Sequence, residues 1–306
     1  MLLYFQSGFI DFFYIICRRI LSGEIFFELA QDEMQIICLV LVGCFSTYVG
    51  SLVYLSRMTM LSNTVSHTSL IGIVMGAFFS NLFRLQDPDQ PLSSSAVLLG
   101  AFISALVTAL LTHIFRRGLR LREDASLALV FSLLFALGVA GVSLFWGKAH
   151  VGLDLILGNI ELVNLSDTLL LLGTSLLNLM LFFLFKRGLI SFVFDREFTS
   201  CLFAYSHLFE LLLLFQVAIF VMASLRVMGL FLPLAYLVGV PIWSRSISLN
   251  LRMMWKSGII LSLLLPILSV ACVRGCLTNF GVALSSSGVS IVFLFLAHLF
   301  ARPFIP

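Results

Sequence analysis

Charge is the first scarcity in this chain. Only 11% of its 306 residues are Asp, Glu, Lys or Arg, against roughly 25% in an ordinary soluble domain. Apolar residues fill the gap: 60% are hydrophobic and the mean hydropathy is +1.12. That balance excludes a water-soluble globular chain. A formal net charge of only +3 gives no basis for binding nucleic acid. Cysteine is also sparse and carries no Cys-x-x-Cys pair. Cys17, Cys38, Cys44, Cys201, Cys272 and Cys276 lie mostly in apolar surroundings and read as small buried hydrophobes. Cys272 and Cys276, four apart, fall on one face if their segment is helical.

Several catalytic signatures are missing too. There is no Gly-x-x-x-x-Gly-Lys-[Ser/Thr] loop, since Gly147-Lys148 is followed by Ala149 and preceded by the wrong glycine spacing. The chain therefore does not hydrolyse ATP by that route. Neither a His-Glu-x-x-His helix nor a Gly-x-Ser-x-Gly elbow occurs. No nucleophile-base spacing supports an intramembrane enzyme built on His67 or on His113 and His298. Paired carboxylates of the kind a proton-coupled pump uses are absent from the apolar runs. Acidic residues cluster at run ends instead, at Glu123, Asp124, Asp167, Asp195, Glu197 and Glu210. The N-terminus lacks the basic region of a signal peptide, and Asp11 interrupts its apolar stretch. Residues 8–17, ending at Arg18-Arg19, read as an interfacial amphipathic helix within a 1–33 interfacial segment.

What the chain has is a succession of apolar runs of about 20 residues, the length that crosses a bilayer as a helix. They fall at 34–56, 62–83, 93–115, 125–145, 168–186, 208–225, 229–244, 258–273 and 286–301. The expectation is an all-α polytopic membrane protein of about nine transmembrane helices in a single transmembrane domain, 1–306. Placing the loop with Arg116, Arg117, Arg120 and Arg122 in the cytosol puts 12 of the 18 Lys and Arg on that side. The positive-inside rule then sets the N-terminus outside and the C-terminus in the cytosol. Gln86-Asp-Pro-Asp-Gln-Pro91 is the clearest polar turn. Pro233, Pro241 and Pro266 mark broken or kinked helices, and Gln216 reads as interhelical glue. Asp124 reads as an N-terminal carboxylate favoured by the helix dipole.

Two loops exceed simple connectors. Residues 146–167 on the outer face are semi-polar and suit a short surface or re-entrant helix. Residues 187–207 on the cytosolic face mix charges with aromatics and suit one or two short surface helices. Exposed aromatics there suggest a docking surface for another protein.

The stretch from Arg57 to Gly76 organises the rest. Thr64, Thr68, Gly72 and Gly76 recur every fourth residue and, on a helix, form a ridge where another backbone approaches closely. Asn63 and His67 form a polar pair one step around from that ridge. A titratable group in an apolar segment is costly, so His67 stands between interhelical hydrogen bonding and a role on a substrate path.

Four stretches together resemble the membrane permease subunits of ABC importers for zinc, manganese and iron. Arg57, His67, Gly72 and Gly76 fit the family's arginine, histidine and glycine pattern. Arg122-Glu-Asp124-Ala with Ala136-Leu-Gly138 is similar to the two ends of one family span. Leu157-Gly158-Asn159-Ile160 with Asp167 resembles an outer loop. Phe194, Asp195, Arg196, Glu197 and Phe198 resemble the head of the coupling loop, and Arg226-x-x-Gly229 the start of the next span. Asn63 stands where the family usually has aspartate, and Ile242-Trp243 replace small residues after Pro241. The resemblance implies an importer rather than an enzyme, with no cofactor and a divalent metal ion as substrate. It implies a cytosolic ABC ATPase on the 187–207 coupling loop, an extracytoplasmic metal-binding protein, and a second permease subunit, identical or different. It places the assembly in the bacterial cytoplasmic (inner) membrane. A stand-alone secondary metal transporter is the alternative, and it would need coupling groups inside the spans.

Overall fold

A computed structural model of the protein describes residues 8–24, 29–58, 60, 63–64, 67–68, 71–72, 74–76, 94–119, 121–146, 160–203, 207–229 and 231–301. The Gln86–Pro91 turn, most of the 146–167 loop and the end of the 62–83 run lie outside these residues. Among them the chain is helical, without a strand. Helix α1 covers Phe9–Ser22. Helix α2 covers Gln31–Leu55, with a π-turn at Ser46–Gly50. The described residues within 60–76 are helical. Then follow α3 (Ser94–Gly118), α4 (Glu123–Trp146), α5 (Leu165–Phe194), α6 (Arg196–Leu202), α7 (His207–Met228), α8 (Phe231–Ile247), α9 (Leu251–Phe280) and α10 (Ser286–Ala301).

Four described segments are long and apolar enough to cross a membrane: Gln31–Leu55, Leu165–Phe194, Leu208–Leu225 and Leu251–Phe280. Shorter apolar helices run through Leu106–Arg116, Ala125–Gly141, Phe231–Ile247 and Ser286–Ala301. Large apolar side chains stand outward along these helices, for example Leu133, Leu137, Leu176, Met180, Leu264 and Phe295. Such a surface would aggregate in water and is at rest in hydrocarbon. The protein is a multi-pass helical membrane protein.

The described residues divide into two compact units. The first takes those of Met1–Ser51, Asn159–Leu176 and Val227–Pro306; the second takes those of Leu52–Gly158 and Leu177–Arg226. In the first unit, α2 and α9 meet along a seam of small residues. A Cβ on Gly43 would come within 2.6 Å of Ser262 Cβ, and one on Gly258 within 2.7 Å of Thr47 Cγ2. Close approach lets the Thr47 and Ser262 hydroxyls bond at 3.1 Å. It also lets Trp255 Nε1 donate to Ser51 Oγ at 2.8 Å. Dispersion and hydrogen bonds of this kind hold helices together where lipid removes the hydrophobic drive.

The prolines do not break their helices: α8 continues through Pro241 and α9 through Pro266. Pro241 has no N–H, so the carbonyl of Leu237, one turn earlier, loses its helical donor. Gly50 fills the space beside it, since a Cβ there would lie 2.5 Å from that oxygen and 3.1 Å from Pro241 Cγ. The π-turn that ends at Gly50 brings this bare Cα into place. Any side chain at position 50 would collide with that carbonyl, so the close approach of α2 and α8 here requires glycine.

Polar groups gather at one end of the same unit. Arg19 pairs with Glu33 at 2.7 Å, both buried. Glu33 also accepts from the Ala30 N–H at 2.8 Å, and Arg274 pairs with Asp32. Gln31 Nε2 donates to the Glu161 and Val163 carbonyls at 3.0 and 2.8 Å, and Glu161 Oε1 accepts from the Ser286 N–H. Arg19 thereby anchors α1, whose Phe12 and Ile16 are buried while Ile10, Tyr14 and Leu21 face outward. Phe9 packs on Gly275 of α9.

Turns follow local chemistry. Gly229 adopts φ +78 between α7 and α8, a conformation that favours glycine. Arg57 adopts φ +61 at the end of α2, although it is not glycine. Its N–H bonds the Tyr54 carbonyl at 3.1 Å and the Met58 N–H bonds that of Val53 at 3.0 Å. This is the Schellman arrangement with arginine in the usual glycine place.

Two stability predictions follow from this packing. Gly43→Val should destabilise the protein by about 1–3 kcal/mol through overpacking, whereas Gly173→Ala, with no atom within 4 Å of its added Cβ, should be neutral or stabilising. Thermal unfolding in detergent compares the two, and equal effects would discount the α2–α9 seam. Arg57→Gly should raise stability by about 1 kcal/mol in the same assay by relieving left-handed strain; a loss would show that the guanidinium itself holds the turn.

Candidate translocation and coupling site

All the residues singled out as path, packing and coupling positions fall in the second unit. The path candidates come first. His67 sits half-buried on the helical 60–76 segment. Its ring meets Phe131 edge-on at 5.2 Å and Phe135 at 5.7 Å, and those two rings stack at 5.6 Å. The imidazole thus has aromatic walls supplied by α4. Asn63, one turn earlier, is exposed.

The small-residue ridge lies against α3. Ser104 Oγ donates to the Thr68 carbonyl at 2.6 Å, and Thr108 Oγ1 donates to Thr68 Oγ1 at 2.9 Å. A Cβ on Gly72 would lie 2.7 Å from both the Gly100 carbonyl and Ser104 Cβ. Gly100 in turn faces Gly72 and the Gly76 nitrogen. Thr64 is buried and donates to the Met60 carbonyl at 3.0 Å. The facing ridge is Gly100, Ser104, Thr108 and Thr112, again every fourth residue. Sequence reasoning missed it, although the same small-residue period would have exposed it. Phe131 and Phe135 were also missed; their four-residue spacing on one helix face was the available signal.

The coupling candidates lie where α5 hands over to α6. The reading of a surface loop from 187 changes here, because α5 stays helical to Phe194. Lys186 and Arg187 look like a span end in sequence, yet long basic side chains snorkel and do not interrupt the helix. Gly188 does not interrupt it either, since the Phe209 ring occupies the space a Cβ would need. Asp195 makes the break. It takes extended backbone angles and its carboxylate accepts from the Phe198 N–H at 2.9 Å, capping α6. Thr199 is buried beneath α6 and donates to the Asp195 carbonyl at 2.7 Å. Phe194, Phe198 and Leu202 stand outward at 63%, 56% and 57% exposure. Phe198 and Leu202, four apart on α6, make a short apolar stripe, and Phe194 is exposed at the end of α5. Glu197 is exposed beside them, and Arg196 lies over the Phe192 ring at 5.0 Å.

Further contacts tie α6 to the body of the unit. Phe203 packs edge-on against Phe209 at 5.1 Å. Arg116 at the end of α3 pairs with Glu210, which is buried, in the first turn of α7. Gln216 Nε2 donates to the Asn178 carbonyl at 3.2 Å, joining α7 to α5. No group of three or more His, Cys, Asp or Glu side chains suited to a metal occurs among the described residues. His113 lies in this unit and His298 in the other. Asp124 is in the first turn of α4. Leu157, Gly158 and Asn159 of the outer loop are outside the described residues.

Comparison with known proteins agrees with this architecture. The ABC 3 transport family matches residues 32–304. The "Probable metal transport system membrane protein" of Chlamydia pneumoniae is 29% identical, covering 98% of this chain and 91% of its own length. The "Manganese transport system membrane protein MntC" of Halalkalibacterium halodurans is 26% identical over 65% of this chain and 63% of its own. In three dimensions the chain resembles a solved structure of "PsaBC from Streptococcus pneumoniae in complex with Fab". That match has a TM-score of 0.70 at 18% identity and covers 91% of this chain and 93% of the other. At that identity it speaks to the fold. The match over residues 32–304 establishes that this chain belongs to the ABC 3 transport family, as a membrane permease.

Proposed function

We propose that this permease forms the translocation path of an ATP-driven importer for a divalent transition-metal ion: zinc, manganese or iron. The observation that carries the reading is the near full-length correspondence with a relative named for metal transport. The metal ion is cargo and no resident cofactor is invoked. A separate cytosolic ABC ATPase supplies energy, an extracytoplasmic metal-binding protein delivers the ion, and a second permease subunit completes the path. The chain lies in a bacterial cytoplasmic membrane as one transmembrane domain of about nine spans, N-terminus outside and C-terminus in the cytosol.

Each group of residues then has a physical task. The α6 stripe of Phe198 and Leu202, with Phe194 before it, is the surface the ATPase grips, since exposed aromatics are strong interface anchors. Asp195 holds that stripe in place by capping α6, while Arg196 and Glu197 flank it with charge. His67 and Asn63 offer the passing ion an imidazole and an amide, ligand types that zinc, manganese and iron accept. Phe131 and Phe135 keep water from one side of the imidazole. So small a ligand set holds an ion weakly, which suits a path that has to release it. The ridge of Thr64, Thr68, Gly72 and Gly76 keeps that segment rigid against α3.

Uptake of labelled zinc or manganese by proteoliposomes holding permease, ATPase and binding protein should require ATP. Proton-driven flux through this chain alone would overturn the reading in favour of a secondary transporter. Phe198→Asp should weaken ATPase association by about 30-fold, the loss of one anchor worth ~2 kcal/mol. His67→Ala should slow uptake about tenfold while leaving that association intact, a change of ~1.4 kcal/mol; full uptake by His67→Ala would remove it from the path.

Orientation has its own test. Cys17 on α1 and Cys201 on α6 are both exposed. In single-cysteine versions, an impermeant maleimide should label Cys17 in intact cells and Cys201 only after permeabilisation. The reverse pattern would invert the topology.

A further inference from the structure

Cys272 and Cys276 stand one turn apart on α9. Both thiols are free and both side chains are partly exposed. They lie close enough to interact directly with each other. Arg274, between them in sequence, points to the opposite side of α9, because each residue turns a helix by about 100°. There it pairs with Asp32. α9 ends at Phe280, about 6 Å beyond Cys276 at 1.5 Å per residue. The pair therefore lies beside the polar end of the first unit, within reach of water. Nothing in the transport reading uses these thiols, and they belong to the first unit whereas His67 belongs to the second.

Spacing decides what the pair can form. Cβ atoms four residues apart on a helix are about 5–6 Å from each other. A disulfide needs them about 3.5–4.5 Å apart, so an undistorted α9 does not close one. Two sulfurs on opposite sides of a single ion are about 4.6 Å apart, with metal–sulfur bonds of about 2.3 Å. That separation suits the helix.

Ligand number decides which ion fits. Among the described residues no group of three or more His, Cys, Asp or Glu could hold a metal. Zinc in a closed protein site takes four ligands, and manganese prefers oxygen. A soft d10 ion that accepts two thiolates in line needs no further ligand. We propose that Cys272 and Cys276 form a binding site for a soft, two-coordinate cation of the Cu(I) type, separate from the transport path. Each sulfur gives its proton to water and forms one bond to the ion, with no change of oxidation state. The resulting bis-thiolate is singly negative, and its partly exposed position leaves that charge hydrated.

The test presents Cu(I), as its coloured complex with bicinchoninate, to the full-length permease in detergent without oxygen. One Cu(I) per chain should transfer to the parent protein. Cys272→Ser and Cys276→Ser should each weaken that binding by about 100-fold, the upper end of what losing even a supporting contact costs. Cys17→Ser and Cys201→Ser, at exposed cysteines outside the pair, should leave it unchanged. In the parent protein Cu(I) should also shield both thiols together from N-ethylmaleimide, a readout that does not depend on any variant folding. Undiminished binding in either serine variant of the pair, or shielding of one thiol without the other, would overturn the site. Displacement of Cu(I) by an equal concentration of zinc would overturn the assigned ion class. A Cys272–Cys276 disulfide after diamide treatment, read by peptide mass, would overturn the spacing argument. No arm uses ATP, the ATPase or the binding protein, so this proposal and the transport reading fail independently.

Discussion

A backbone carbonyl that loses its helical donor inside a bilayer has no water to replace it. Much of the first unit answers that constraint. Pro241 frees the Leu237 carbonyl, and the bare Cα of Gly50 lies against it. Gly50 sits there because α2 opens into a π-turn at Ser46–Gly50. The same close approach brings Thr47 to Ser262 and Ser51 to Trp255. Each hydroxyl donates or accepts without exposing a helix carbonyl to lipid. Small residues thus bring helices close enough for hydroxyls to bond across the seam at membrane depth.

The second unit applies the rule to a different end. Its ridge of Thr68, Gly72 and Gly76 meets Gly100, Ser104 and Thr108, and the Ser104 and Thr108 hydroxyls both donate across the seam to Thr68. That leaves His67 on the flank of a stiff helix pair. Aromatic walls from Phe131 and Phe135 then limit its rotation. A single imidazole with aromatic neighbours is a poor trap for a cation and a workable stepping stone. On the transport reading, rigidity of the seam matters more than ligand strength, since a wandering imidazole would neither receive nor release an ion at a defined position.

Legibility from sequence tracked period and length. Apolar runs, the every-fourth small residues and the aromatic-charged stretch near 194–198 were visible because each repeats or extends over many residues. The facing ridge on α3 carried the same period and went unread because its members are spread across a hydrophobic run with no charged landmark. Lys186 and Arg187 resemble a boundary in sequence, while the capping carboxylate of Asp195 is the physical stop of α5. Pro241 and Pro266 suggest broken or kinked helices in sequence, yet both helices run on through them, and the Gly50 that lies beside Pro241 is almost two hundred positions away. Pairs such as Arg19 with Glu33 or Arg116 with Glu210 join residues remote in sequence, and only the fold shows which charge finds which.

Coupling between α6 and His67 can be argued through contacts that stay within the second unit. Asp195 ties α6 to α5 through the cap, and Phe203 ties it to Phe209 of α7, whose ring occupies the place of a Cβ on Gly188. Glu210, the next residue, holds Arg116 at the end of α3. Along α3 lie Thr112, Thr108 and Ser104, each buried, and the last two grip Thr68 beside His67. These links differ in stiffness. The cap and the threonine bonds are short and directional, whereas the aromatic contact permits sliding. A displacement imposed on α6 would therefore be absorbed or transmitted mainly at Phe203–Phe209. Contact alone does not amount to coupling; on the transport reading, pressure at Phe198 reaches Thr68 only if the Phe203–Phe209 joint has a second seated position.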